Sequence, residues 1–564
     1  MDPVGVGLGT VALVSTVLEV FGLVISFRTY SETSRVLFRQ LELEREVLLR
    51  WAIEVGLYPA SHGSSTNCII PPELLPLVHQ TVATIGSLLA AATSPKGAKK
   101  KSEVGAEDLP AVLDRLQVEL NNNETQSQSR LSRSLTRLGW ALSEEDRLKG
   151  LITTIHAYNT SLHNLIPKPL QVSLDGAIMQ ALLAEPDLQS LLEIQRASLH
   201  WRKALSVAAS VTSFQHQKST SGPPSTNQLL LPRSRFTSIG VDMARYLTTY
   251  EHNGQTSHVL IEWRAYRIPQ NSEHKIAYLN TCLDLARLLH ESQNLEAYRT
   301  LDSLGIIDDI EFKPSSRIGL VYRVPLSITP LPENSSIKVF TLHDLINGKE
   351  FTRPRLDERF ALAQKLATGL HRLFVSRWYH KNLHSKNILF FTQFNDGTGI
   401  TQPYLSGFDY ARPDSPEEMT IKPEADEFCD RYRHPQCTHP DSRNVIQFSR
   451  QFDIYSLGVI LTEIGRWETV DRMHKDYSSQ RTKAKGGVPT AAPLNSFQRY
   501  LKTRCLESLG FRMGQIYTDA VRFCLGGDDA DGAAEAAVHV RENEELLVSR
   551  LNKEVVAELA KCTA

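Results

Sequence analysis

The chain has no excess of charge of either sign. Its 62 Lys and Arg face 63 Asp and Glu, and the net charge over 564 residues is -1. That balance removes any global electrostatic reason to bind nucleic acid or an anionic surface, and no nucleic-acid partner is expected. Cysteine is sparse: Cys68, Cys282, Cys429, Cys437, Cys505, Cys524 and Cys562 are all there is. An odd, scattered set excludes a disulfide framework and points to reduced thiols in a cytoplasmic setting. Cys429, His434, Cys437 and His439 lie near one another, but no C-x2-C spacing supports a zinc site, and no metal is expected. A basic segment is also missing ahead of the one long apolar run, which argues against a secretory signal peptide.

That apolar run is what the chain has instead. Residues 4 to 26 read VGVGLGTVALVSTVLEVFGLVIS, and Glu19 is the only charged side chain among them. Roughly 20 apolar residues suffice to span a bilayer. Two readings stay open. One is a buried helix of a soluble bundle, which a central Glu and several Gly favour over a permanent span. The other is a segment that leaves the bundle and enters lipid, with Gly5, Gly7, Gly9, Val14, Glu19, Gly22 and Val24 as the membrane-active candidates.

At 564 residues the chain exceeds one core, and two or three domains are expected. Residues 1 to 213 read as an all-α bundle. Leu37, Leu41, Leu48, Trp51 and Val55 recur at helical spacing over 34 to 55. Pro71 and Pro72 open a second helix that runs to Ala92. A basic loop from Lys96 to Lys101 follows, and helical patterns cover Leu131 to Ile166 and Ala177 to Ser213. Residues 214 to 228, FQHQKSTSGPPSTNQ, have linker composition. Residues 229 to 564 form the second domain, α+β in its first part and mostly helical beyond about residue 330. Strands are expected at 259 to 264 and 318 to 324, with a helix between them from Ile276 to Ser292. Leu362, Leu366, Leu370, Leu373 and Phe374 line one face of a long later helix.

That helix leads into His380-Lys381-Asn382-Leu383-His384-Ser385-Lys386-Asn387-Ile388-Leu389-Phe390. The stretch resembles the catalytic loop of protein kinases, H-R-D-L-x-x-x-N before an apolar strand. Asn382 stands where that family has its catalytic Asp, and an amide cannot act as a general base near neutral pH. Three further features fall in the family's order. Leu405-Ser406-Gly407-Phe408-Asp409 matches the D-F-G region, with Gly407 in place of the metal-binding Asp. Tyr432-Arg433-His434-Pro435 resembles the end of an activation segment. Asp453 to Ile464, DIYSLGVILTEI, resembles the central C-lobe helix, with its Asp intact and Gly458 within it.

The resemblance implies a two-lobed kinase-like fold, with an N-lobe at about 229–330 and a C-lobe at about 331–564. It implies Asp453 and Gly458 as scaffold residues. His380, Asn382, Asn387, Gly407, Phe408 and Asp409 then stand at degenerate catalytic positions. Either Glu262 or Arg264 falls where the family's phosphate-contacting Lys belongs. Asp284 and Glu291 are candidates for the acidic partner of that Lys. The only glycines between Leu229 and His258 are Gly240 and Gly254, so no glycine-rich phosphate loop precedes the strand. Loss of a general base alone costs about 100 to 10,000-fold in rate. The implied domain is a pseudokinase that requires no cofactor. Arg264 and Asn387 remain as nucleotide-pocket candidates for ATP and magnesium.

The first domain carries a second resemblance. The apolar Gly-containing start, Phe27 to Tyr30, Arg39-Gln40-Leu41-Glu42-Leu43 and Leu48-Leu49-Arg50-Trp51 are similar to the fungal HeLo domain of the prion-inhibition and propagation family. It covers roughly residues 1 to 210, and the family's C-terminal amyloid motif is not evident. The resemblance implies a role in programmed cell death or heterokaryon incompatibility. It implies partners in membrane lipids, met through residues 4 to 26 on activation, and a protein trigger. It also implies self-association on activation and relocation from cytoplasm to plasma membrane. Two alternatives stand beside it: an atypical ATP-dependent kinase, and a static scaffold.

Overall fold

Helical periodicity dictates the described part of the first two hundred residues. The computed structural model describes residues 3–26, 32–59, 68–92, 111, 145–184, 187–220, 229–240, 244–265, 272–291, 298–309, 317–325, 337–349, 351–392, 402–408, 412–413, 426–438, 448–485, 493–526 and 540–563. Helices α1 (Pro3–Ser26), α2 (Glu32–Glu54), α3 (Leu75–Ala92), α4 (Glu145–Leu165), α5 (Lys168–Leu183), α6 (Leu188–Ser198) and α7 (Lys203–Thr220) follow in order. Helix α2 is the hub and packs against α1, α4, α5 and α6. Its apolar stripe of Leu37, Leu41, Leu48, Trp51 and Val55 is buried in the shared core. The Trp51 indole donates to the Leu162 carbonyl at 3.0 Å, which gives the buried polar handle its partner. Glu44, also buried, accepts from Asn159 at 2.8 Å and lies 2.9 Å from His156.

One expectation is refined and one corrected. The helical pattern from Ala177 to Ser213 resolves into the end of α5, α6 and most of α7. Pro186 cannot continue α5, and Asp187 caps α6 by accepting the Ser190 N–H at 2.9 Å. The chain also stays helical through Thr220, into the segment whose composition reads as a linker. Residues 221 to 228, with Gly222 and the two prolines, lie outside the described residues, as do 131 to 144 and the basic run Lys96 to Lys101.

The chain divides into two compact units, Met1–Ser206 and Val207–Ala564. The second mixes helices with small antiparallel sheets. Strands β1 (Arg245–His252), β2 (Gln255–Ala265), β3 (Ser303–Asp309) and β4 (Arg317–Arg323) form a sheet in the order β1-β2-β4-β3, with α8 (Ser272–Glu291) between β2 and β3 in sequence. Val259 and Ile261 of β2 pack with Phe236, Tyr250, Ile307 and Val321 on one face. By alternation Leu260, Glu262 and Arg264 point to the other.

Beyond the sheet come β5 (Lys338–Thr341), α9 (Leu342–Asn347), α10 (Leu356–Val375), β6 (Trp378–Tyr379), β7 (Ile388–Thr392), β8 (Tyr404–Leu405) and β9 (Arg412–Pro413). Strands β5, β7 and β8 make a three-stranded sheet, and β6 pairs with β9. The remaining described elements are helical: α11 (Glu427–Asp430), α12 (Pro435–Thr438), α13 (Arg450–Arg466), α14 (Val470–Lys485), α15 (Leu494–Tyr500), α16 (Leu506–Cys524), α17 (Val540–Leu551) and α18 (Ala557–Leu559). Helix α13 is buried without a break from Phe452 to Gly465, because α10, α16 and α17 surround it. A Cβ at Gly458 would come within 2.8 Å of the Cys524 Cβ, so this glycine sets the close approach of α13 to the end of α16.

Candidate functional site

The loop after β6 is anchored from below. Asp453, in the first turn of α13, accepts the backbone N–H of His380 at 2.8 Å and of Lys381 at 2.9 Å. Those bonds hold Lys381 at φ 64, a left-handed backbone that residues with a Cβ avoid. Burial pushes the Asp453 carboxyl up to about 7, against the pull of the two donors and Lys381. The His380 Nε2 lies 3.0 Å from the Ser406 carbonyl, and its Nδ1 accepts the Asn382 N–H at 3.3 Å. The proton therefore sits on Nε2. Burial pushes this imidazole down to about 4, and the neutral ring packs on Phe408 at 4.6 Å between centroids.

The residues that face the sheet are engaged with one another. The Asn382 amide donates to the Gly407 carbonyl at 3.5 Å, and the Asn387 amide donates to the Asn382 carbonyl at 2.9 Å. Gly407 has φ 74, and a Cβ there would overlap the Asn387 amide. Position 407 cannot hold an Asp in this arrangement. Gly407→Ala is expected to lower stability by about 2 to 5 kcal/mol, the sum of a left-handed backbone penalty and an overpacking penalty. Urea unfolding checks it; a loss below about 1 kcal/mol would mean that the Asn387 amide swings aside freely.

A cation fills the space above, and it belongs to the chain. Arg245 of β1 pairs with Glu262 of β2 at 2.7 Å. Its guanidinium also donates to the Lys386 carbonyl at 2.8 Å, to Asn387 Oδ1 at 2.6 Å and to Ser406 Oγ at 3.0 Å. Glu262 completes its own set with the Gly407 N–H at 3.1 Å and the Tyr322 hydroxyl at 3.3 Å. Burial alone would raise the Glu262 carboxyl, but Arg245 and Arg264 with the Gly407 N–H outweigh it and hold the group ionised. Arg264, buried on the same strand face, adds charge rather than a vacant pocket. Asn387 Oδ1, the atom a cation would need, already accepts from Arg245.

The segment after residue 425 closes the other side. Tyr432 donates to Glu463 at 2.7 Å, and its hydroxyl also meets Ser385 at 2.7 Å. Burial pushes the Glu463 carboxyl up to about 8. Phe428 lies under the Lys386 ammonium at 3.7 Å and packs edge-on against His384. His434 stacks on Phe452 at 5.0 Å, a packing role for one of the zinc-site candidates.

The structure thus gathers Glu262, Arg264, His380, Asn382, Asn387, Gly407, Phe408 and Asp453 at one locus. Asp409 lies outside the described residues, as does the side chain of Glu291; Asp284 is half-buried on α8. Glu262 takes its hydrogen-bond partners from Arg245, Tyr322 and Gly407. Arg245 escaped the sequence reading. Among the membrane-active candidates, Gly5 and Gly7 lie in the first turns of α1. Val14 and Val24 are 0% exposed in the bundle core, whereas Gly9, Glu19 and Gly22 are exposed.

A family model described as HeLo, prion-inhibition and propagation, matches residues 4–194. A second, described as Domain of unknown function (DUF7580), matches residues 170–562. The chain belongs to the DUF7580 family. Its N-terminal bundle is the HeLo part, and HeLo domains suggest a cell-death or incompatibility-related role. The DUF7580 match begins within α5, so it takes in α6, α7 and the whole locus around Arg245. No curated protein matches the chain.

Proposed function

We propose that the DUF7580 region is a kinase-like module without catalysis, and that it controls the HeLo bundle as the regulatory half of a cell-death or incompatibility effector. The observation that carries this reading is Arg245. The chain's own guanidinium satisfies Glu262, Asn387 and Ser406, the groups that a nucleotide and its metal would otherwise recruit. The strand order, the helix between β2 and β3, and the Asp453 anchor beneath the loop support kinase-like ancestry. Among the described residues, neither side chain at the loop's tip supplies a general base: Asn382 is an amide and His380 is bonded at both ring nitrogens, while the Asp453 and Glu262 carboxylates are taken up by backbone N–H groups and Arg245. The module acts by what it holds, not by what it transfers.

On this reading the effector step belongs to α1, whose Gly9–Ser26 stretch has a mean hydropathy of 1.9. The test is dye release from vesicles by the full chain. Charge at Val14 or Val24 would unfold the bundle, because both are fully buried. Gly22 is exposed with open space around it, so Gly22→Lys leaves the fold intact. Release by the wild type, reduced severalfold in Gly22→Lys, is expected, because Gly22 lies in the C-terminal third of the stretch, where a Lys is costly but less so than at its centre. Equal release by both proteins would remove α1 from the mechanism.

A further inference from the structure

We propose that α3 is a second membrane-entering segment, and that α1 and α3 enter an acyl bilayer as a pair. The proposal rests on the membrane reading of α1 and adds a partner helix to it. Helix α3 spans 18 residues, Leu75–Ala92, with a mean hydropathy of 1.4 and no Asp, Glu, Lys or Arg. At 1.5 Å per residue it is about 27 Å long, close to the hydrocarbon thickness of about 30 Å. Both helices are only partly covered by the bundle: 44% of the α1 stretch and 39% of α3 is buried.

The hydroxyls of α3 are arranged as a bilayer requires, and its other polar side chains, His79 and Gln80, lie in its first third. Inside lipid every donor needs a partner within the protein. The hydroxyls of Thr81, Thr84 and Ser87 donate to the carbonyls of Leu77, Gln80 and Ala83, one turn back in the same helix. Thr16 of α1 does the same with Ala12. Each helix carries these bonds with it wherever it goes.

The remaining link ties the two helices to each other. Thr10 of α1, fully buried, lies 3.2 Å from the ring nitrogen of His79 on α3. Helix α1 packs more closely against α3 than against any other described helix of the bundle. If α1 left alone, Thr10 and His79 would each lose a partner, and the apolar face of α3 would meet water. Leaving together keeps the bond and the shared apolar seam.

The full chain, incubated with vesicles of phosphatidylcholine and phosphatidylserine that carry a lipid-soluble photolabel, tests this. Peptides from 9–26 and from 75–92 should both be labelled. Thr84 sits at mid-helix, half-exposed, with its hydroxyl bonded only within α3. Thr84→Lys should therefore keep the wild-type far-UV spectrum. Labelling of 75–92 should fall about a hundredfold, the insertion penalty of a central Lys, and labelling of 9–26 should fall with it. Label confined to 9–26, or label on 75–92 that ignores Thr84→Lys, overturns the paired entry while leaving α1 membrane-active. Absence of label from both segments overturns the membrane reading itself.

Discussion

Arg245→Ala is expected to lower the stability of the C-terminal unit by about 3 to 5 kcal/mol, the cost of leaving a buried ionised partner unpaired. Glu262 is 4% exposed, and it keeps only the Gly407 N–H, the Tyr322 hydroxyl and nearby Arg264 once the guanidinium is gone. The side chain of Arg245 is 19% exposed, so solvent does not take over its role. The loss reaches the loop as well, because the same guanidinium tethers the Lys386 carbonyl, Asn387 and Ser406 to the sheet. Amide exchange should accelerate at 386–387 and 406–407 together. Arg245→Met with Glu262→Met should recover only part of the stability, since it removes the unpaired charge but also takes the Glu262 acceptor from the Gly407 N–H and the Tyr322 hydroxyl. Urea unfolding of the single and double variants measures both effects. A single variant within about 1 kcal/mol of wild type would mean that Arg245 is a surface charge, not a tether.

Asp453→Ala comes next in size. Two buried N–H groups lose their side-chain acceptor, at about 1 to 3 kcal/mol each, so a loss of about 2 to 6 kcal/mol is expected. Lys381 would also be released from its left-handed backbone. Asp453→Asn separates the contributions. It keeps one acceptor oxygen and turns an NH2 toward the other N–H, so its loss should be close to that of Ala. Exchange at the His380 and Lys381 amides reports the break directly. Protection unchanged in both variants would contradict an anchor at Asp453.

Much of this was legible in the sequence, for physical reasons that differ by element. The stripe of α2 and the face of α10 obey the helical period, because each helix has one buried side. The His380 loop and Asp453 are readable because their contacts are local or fixed by a known pattern. The break at Pro186 was also available, but an apolar period that continues on both sides masks it.

The Arg245–Glu262 pair is the instructive omission. Its partners are far apart in sequence, yet a short-range signal encodes the register. Asn253 and Gly254, at φ 51 and φ 74, form a two-residue hairpin turn between His252 and Gln255. Asn-Gly is the strongest local hairpin signal, because both central residues need positive φ. Counting back from that turn sets Arg245 opposite Glu262. What no local count reveals is that the pair reaches across to Asn387, which depends on how the sheet meets the loop.

The central claim is that this locus is filled by the chain and needs no nucleotide. Calorimetric titration of the full chain with ATP and ADP in the presence of magnesium tests it most directly. The expected result is no binding heat and no shift of the unfolding midpoint, in wild type and Glu262→Gln alike. Saturable, magnesium-dependent binding, with or without phosphate incorporation, would contradict it, and would return Arg264 and Asn387 to the role of nucleotide-site residues.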